Sequence, residues 1–285
     1  MQGDGDDHVD VDLDNVPLPV TAGARPRIAA WYARHGRHDL PWRATRDRWA
    51  VLVSEVMLQQ TPVGRVADVW PRFMARFPTP EAMAAAGAGK VIAAWGTLGY
   101  PRRARRLWEA ASQITAGGWP ADLTDLPGVG RYTADAIRAQ VDGDDAPAIE
   151  TNIRRVVERR AGRLLSPAEA AAASRDAGHP LTGRDRLLAL MDVGAVLCRP
   201  RAPRCPECPL EPGCATGAAG ASPDPALGRR PRQPAYEGSF RQRRGMVLAQ
   251  LRVGPRPSAG LDAAALAALV EDGLAVTDGP LARLP

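Results

Sequence analysis

Leu126-Pro127-Gly128-Val129-Gly130 is the stretch on which the fold turns. It lies between two stretches of helical pattern, with Thr124 or Asp125 before it and Tyr132 to Val141 after it. Pro127 fixes a turn, and Gly128 and Gly130 let the backbone approach a ligand. Their N–H groups then stand at the start of the next helix, where backbone donors and the helix dipole together hold a phosphate oxygen. Taken alone, the stretch fits an ordinary corner between two helices equally well. What lies around it decides.

Upstream, residues 26–36 place Ile28, Trp31 and Tyr32 at three- and four-residue spacing, which predicts a helix. The strongest helical pattern is 47–60, where Asp47 can cap and Trp49, Leu52, Val53, Val56 and Met57 repeat on one face. Pro62 ends that helix or opens the next. Further helices are predicted at about 63–76, 80–86, 88–96 and 103–116. No segment alternates with period two, so the body reads as all-α. Residues 216–235 are a Gly-, Ala-, Pro-, Ser- and Arg-rich linker by composition. Residues 240–285, within a module of 236–285, hold two helical patterns and a short Gly-containing end, the size of a small winged-helix-like module.

Residues 1–24 carry Asp4, Asp6, Asp7, Asp10, Asp12 and Asp14, a solvated, disordered acidic tail rather than a signal peptide. No apolar run reaches the roughly 18 residues that a membrane-spanning helix needs. Cytoplasmic residence is therefore expected by elimination. Net charge is still +5, so the body is more basic than the total. Lys90 is the only lysine, and arginine forks suit phosphate and base stacking. A GC-rich coding bias explains that ratio, but not the clusters Arg102, Arg103, Arg105, Arg106 and Arg154, Arg155, Arg159, Arg160. Such clusters are usually solvated helix faces.

Cys198, Cys205, Cys208 and Cys214 are the only cysteines, spaced Cys-x6-Cys-x2-Cys-x5-Cys. One loop of that length can wrap four thiolates around one metal centre. Zinc and iron–sulfur clusters both accept this donor set. Two disulfides are the plainer alternative, disfavoured in a charge-rich chain with no other cysteine.

Hairpin and cysteines together carry a resemblance. Leu126–Gly130 resembles the helix-hairpin-helix of the endonuclease III superfamily of DNA glycosylases, and the cysteine spacing is similar to that superfamily's 4Fe–4S loop. Leu40-Pro41-Trp42-Arg43, the run Ser54-Glu55-Val56-Met57-Leu58-Gln59-Gln60-Thr61, and Leu98-Gly99-Tyr100 look like the adenine DNA glycosylase (MutY-type) branch. The resemblance covers roughly residues 26–215. It implies a six-helix barrel at 41–140 with the helix-hairpin-helix at 122–141, and a cluster domain from 25–40 and 141–215. It also implies one 4Fe–4S cluster on Cys198, Cys205, Cys208 and Cys214, and allows a monovalent cation at the hairpin. The expected partner is double-stranded DNA with a mispair or lesion, bound by a nucleoid-associated monomer.

Breaking an N-glycosidic bond takes a carboxylic acid to protonate the base and a carboxylate facing the sugar. The resemblance implies that Glu55, in an apolar helix that favours its protonated form, is the acid. Where the family has aspartate two residues before an asparagine, this chain has Ile149-Glu150-Thr151-Asn152. Glu150 is thus one methylene longer, about an ångström, and a misplacement of that size can cost on the order of 100-fold in rate. Tyr132 and Asn152 complete the expected catalytic set. Branches that also cut the backbone have a lysine after the hairpin; here Tyr132 stands there, which implies a monofunctional enzyme.

For DNA handling, the resemblance implies that Gln60, Leu98 and Tyr100 form the wedge filling the stack when a base is extruded, with Thr61 hydrogen-bonding nearby. Core packing is the alternative for Leu98. Trp42 and Arg43 would line the base pocket, Leu58 would face substrate, and Gly128 and Gly130 would meet phosphate. Leu188 stands where the family often has Glu or Gln, which weakens the polar case for adenine. Residues 236–285 are too few for the Nudix-like domain of many such enzymes, and Arg241, Arg243 and Arg244 are candidate DNA contacts there. The main expectation is excision of adenine mispaired with 8-oxoguanine or guanine. The rivals are a paralogue excising uracil or thymine opposite guanine, a non-catalytic lesion binder, and an unrelated zinc-stabilised helical DNA-binding protein.

Overall fold

The computed structural model describes residues 25–218 and 235–285; the acidic stretch 1–24 and residues 219–234 of the expected linker lie outside the described residues. Helix α1 spans Arg25–His35. After a single 3-10 turn at Pro41–Arg43, α2 runs over Arg48–Leu58. Asp47 caps it, accepting from the Ala50 N–H at 2.7 Å. Residues 49–57 are buried without a break, so α2 is apolar on all sides and must be surrounded.

The surrounding is done by α3 (Val63–Arg76), α4 (Pro80–Ala86), α5 (Ala88–Trp95), α6 (Arg102–Gly117) and α7 (Arg131–Ile137). Pro62 sits at the N-cap of α3, so it opens that helix. Leu52, Met57, Phe73, Trp95, Leu107 and Ile137 belong to the resulting core. A second core forms between α1, α8 (Thr151–Ala161), α9 (Pro167–Gly178) and α10 (Gly183–Asp192), with Ile28, Ile153, Val157, Ala170 and Leu187 inside. The two cores meet along α7: Ala134 and Ile137 face the first, Ala136 the second. The segment also ends in a π-turn at Arg138–Asp142, and α10 ends in another at Val193–Leu197. A short α11 covers Ala215–Ala218.

The C-terminal part has α12 (Phe240–Val253), α13 (Ala263–Glu271) and three short strands, β1 (Arg256–Pro257), β2 (Val276–Asp278) and β3 (Leu281–Arg283). They pair antiparallel in the order β1-β3-β2. Two helices and a β-wing match the winged-helix-like expectation. The all-α reading holds for the body, whereas these strands of two or three residues are too short for period-two alternation to register. Val247, Leu251, Leu266 and Leu269 continue the first core, so this module packs on the helical body. Asp272 ties it down, accepting from Arg102 and Arg244 while its backbone carbonyl accepts from Arg105 at 2.7 Å.

Candidate active site and DNA-reading surface

Glu55 projects from the middle of α2 and is 6% exposed. Gln140, buried in the π-turn after α7, donates Nε2 to Glu55 Oε1 at 2.8 Å. π-turns of this kind are frequent at functional sites because the extra residue re-aims a side chain. Tyr132, from α7, donates its hydroxyl to the same carboxyl. Burial pushes Glu55 up to about 7, the hydrogen bonds from Gln140 and Tyr132 pull the other way, and the nearby charge of Glu150 pushes it further up. At neutral pH Glu55 is therefore poised to hold and release a proton.

Glu150 is the N-cap of α8. Its Oε1 accepts from the Ile153 N–H at 2.9 Å and its Oε2 from Asn152 Nδ2 at 3.0 Å. Burial raises its pKa, opposed by those donors and by the Arg155 charge. The Tyr132 hydroxyl is pushed well above its usual range by burial and then by Glu55 and Glu150. It stays protonated and remains a donor between two carboxyl groups. Glu55, Tyr132, Glu150 and Asn152, drawn from α2, α7 and α8, thus gather at one site.

Behind Glu150 stands a chain of bonds. Asn152 Oδ1 accepts from Arg155 Nη2 at 2.7 Å, and Arg155 also donates to the carbonyls of Gly194 and Cys198, each at 2.7 Å. Gly194 is required here: a Cβ would lie 2.7 Å from Asn152 Cβ and 2.9 Å from its carbonyl oxygen.

The expected wedge residues occupy two facing loops. Gln60 and Tyr100 both have positive φ, 55° and 47°, and both are exposed. Thr61 is buried and accepts from Arg103 Nη2 at 2.9 Å. Leu98 is 2% exposed within the first core, so its side chain packs rather than projects; among the three wedge candidates only Gln60 and Tyr100 are presented to solvent. Trp42 is also buried, edge-on to Trp70. Arg43 makes a two-pronged pair with the fully buried Asp192, at 2.6 and 2.8 Å, and its charge still reaches Glu55. Leu58 is half-buried, and Leu188 packs in the second core.

The hairpin has Gly128 at φ 83°, the left-handed region, with Gln59 Nε2 donating to its carbonyl at 3.4 Å. Gly130 is exposed at the N-cap of α7, with open space where a side chain would be.

All four cysteines are free thiols. They line one small pocket together with Arg159, Leu197 and Glu211. Arg159 Nη1 reaches Cys198 Sγ at 3.6 Å, and Cys214 Sγ donates to the Arg159 carbonyl at 3.7 Å. Among the described residues no three His, Cys, Asp or Glu side chains close in on a single ion. Burial pushes Cys208 up to about 12 and also raises Cys205, so thiolates at these positions need a cationic centre to hold them. Four cysteine sulfurs lining one pocket are the donor set that such a centre takes.

Comparison with known proteins decides the family. Residues 53–173 match the HhH-GPD superfamily of base excision DNA repair proteins. The chain is 41% identical over 259 residues to an adenine DNA glycosylase of Mycobacterium tuberculosis, covering 85% of this chain and 84% of that one. The chain belongs to the adenine DNA glycosylase branch of this superfamily. It is a DNA glycosylase of base excision repair. Its fold is similar to a thermostable thymine-DNA glycosylase (27% identity, TM-score 0.60, 68% of this chain and 95% of that one). It is also similar in fold to endonuclease III in a non-covalent DNA complex (22% identity, TM-score 0.57, 68% and 93%).

Within this glycosylase, three residues bonded into these networks escaped the sequence reading. Gln140 lies 85 positions from the carboxyl it serves, with no pattern to mark it. Arg155 and Arg103 lie in arginine runs whose spacing suggests solvated faces, yet both are buried. The runs pointed at phosphate or solvent; packing turned Arg103, Arg155 and Arg159 inward. In the C-terminal module, Arg243 pairs with Asp262 and Arg244 with Asp272, while Arg241 lies over the Tyr236 ring. The two pairs are internal to the module, and the Arg243 side chain stays half exposed.

Proposed function

We propose that this chain hydrolyses the N-glycosidic bond of adenine mispaired with 8-oxoguanine or guanine, without cutting the backbone. The observation that carries the reading is the meeting of a buried, proton-holding Glu55 with a helix-capping Glu150 on either side of Tyr132. Glu55, raised to about 7 by burial, donates its proton to the departing base. Glu150, held by Asn152 and the Ile153 N–H, stabilises the positive sugar as the bond breaks. Tyr132 keeps its proton and orients the acid. Water completes the hydrolysis. Lys90, the only lysine, is exposed on α5, whereas the gathered side chains come from α2, α7 and α8, which supports the absence of a Schiff-base step.

The choice of adenine is supported by the name of the mycobacterial relative. A second reading, excision of thymine or uracil opposite guanine, is supported by the thymine-DNA glycosylase likeness and by apolar Leu188. Duplexes carrying each mispair, treated with the protein and then alkali, separate the two. Strand scission at adenine is expected; scission at uracil or thymine with adenine untouched would overturn the reading. Glu55→Gln serves as the control that binds without cleaving.

Cys198, Cys205, Cys208 and Cys214 would hold one 4Fe–4S cluster, which lends structure and fixes the loop bearing Arg199, Arg201 and Arg204 beside the DNA backbone. Purified protein should be brown, with visible absorbance lost on cluster removal. A colourless protein with stoichiometric zinc would replace this assignment. DNA affinity should fall steeply with added salt, as phosphate neutralisation requires.

A further inference from the structure

Among the described residues, Arg103 is a buried cation with no acidic partner. It lies at the start of α6, and its two Nη groups spend their hydrogens on neutral oxygens, while its buried Nε has no partner among the described residues. Nη1 donates to the carbonyls of Val56, Met57 and Gln59 at 2.8, 2.9 and 2.6 Å. Nη2 donates to Thr61 Oγ1 and to the carbonyls of Leu98 and Gly99, at 2.9, 3.3 and 3.0 Å. The same group lies over the rings of Trp95 and Tyr100, 5.2 and 5.5 Å from their centroids. Burial lowers its pKa to about 10, so it is still cationic at neutral pH.

The acceptors are not a random set. Val56 and Met57 are among the last carbonyls of α2, which lack partners inside the helix and lie at its negative end. Gln59 and Thr61 flank Gln60; Leu98 and Gly99 precede Tyr100. Both flanked residues sit in the left-handed region that bulky side chains avoid, and both are exposed. Strained non-glycine backbone persists only where the surroundings hold it in place. One guanidinium supplies that hold for both loops at once.

We infer that Arg103 is the positioning residue of the DNA-reading wedge: it locks the 59–61 and 98–100 loops together so that Gln60 and Tyr100 enter the stack as one unit. It acts through those two residues and does not touch substrate. Lysine cannot replace it, because a point charge with three donors cannot serve two separated rows of acceptors. The inference rests on the reading above, that this surface handles mispaired DNA.

The test uses the full chain and a duplex carrying 2-aminopurine beside the mispair, whose fluorescence rises when neighbouring bases unstack. Wild type should bind the mispaired duplex above a matched one and raise the signal. Arg103→Lys should reduce the mispair preference by about tenfold and abolish the rise, while matched-duplex binding changes little. In a Gln60→Ala/Tyr100→Ala background, Arg103→Lys should have no further effect on unstacking. Thr61→Val, which removes one of the acceptors, should show the same loss in weaker form and gives the answer if Arg103→Lys does not fold. Unstacking that survives Arg103→Lys, or an Arg103→Lys loss undiminished in the double-alanine background, would overturn the inference. A wild type that does not prefer the mispaired duplex would instead sink the functional reading, and this inference with it.

Discussion

Glu55 and Glu150 are the same side chain in two different settings. Glu55 leaves the middle of a helix that is apolar all round, and side-chain donors are its compensation. Glu150 opens a helix, where a backbone N–H and the positive helix end support an anion. Burial raises both, but only Glu55 is driven up to about 7. Environment rather than residue type therefore separates acid from carboxylate, which is the arrangement that two-carboxyl chemistry requires.

The sharpest way to break this comparison is Glu55→Gln, expected to slow base release by about 1,000-fold with DNA binding retained, measured in single-turnover assays. A loss under tenfold would remove Glu55 from the acid's role. The same substitution should stabilise the fold at alkaline pH. Glu55 is held protonated in the native state to about 7, against 4.5 when unfolded, so its contribution is full below 4.5 and is lost as pH rises through 7. That loss is on the order of 3 kcal/mol, and denaturant melts of wild type and Glu55→Gln at pH 5 and pH 8 should show it in the wild type only.

Glu150→Asp probes the other partner. The shorter arm can keep the Ile153 cap while leaving Asn152, freeing an oxygen toward the sugar, and base release should rise about tenfold. A fall in rate would mean the site is built around the longer residue. Gln140→Leu is the mildest change. It removes a hydrogen bond that lowers the Glu55 pKa, so the alkaline limb of the activity profile should move to higher pH, with only a few-fold loss in rate. An unmoved limb would detach Gln140 from the acid.

A second pair of regions repeats the lesson. α6 and α8 each carry an arginine run, and each turns members inward to staple loops by their carbonyls. Arg103 takes the 59–61 and 98–100 loops. Arg155 and Arg159 take the carbonyls of Cys198, Arg199 and Pro200. Arg102 and Arg105 instead reach Asp272 of the C-terminal module. Solvation, one of the two readings that a charge run suggests, does not describe the buried Arg103, Arg155 and Arg159.

Local signals explain what was legible. Helices at 63–76 and 80–86 appear at their expected bounds because proline, Thr79 and apolar periodicity act within a turn or two. Asp47 caps where its position predicts. The short strands escaped because two or three residues are too few to show alternation, and β1 finds its partner β3 only some 25 residues away. Leu98 and Tyr100, two positions apart, differ in exposure for a reason no periodicity holds: Gly99 and a left-handed Tyr100 reverse the chain between core and surface.

The order of residues alone determined the helical body, the hairpin turn, the gathered thiols and the two acids, since each depends on neighbours or on a short spacing. Only the tertiary structure decided which acid keeps its proton, which arginines serve as internal staples, and that Leu98 packs while Gln60 and Tyr100 stand out. Those outcomes depend on desolvation and on oxygens brought from distant segments, and neither exists until the chain has packed.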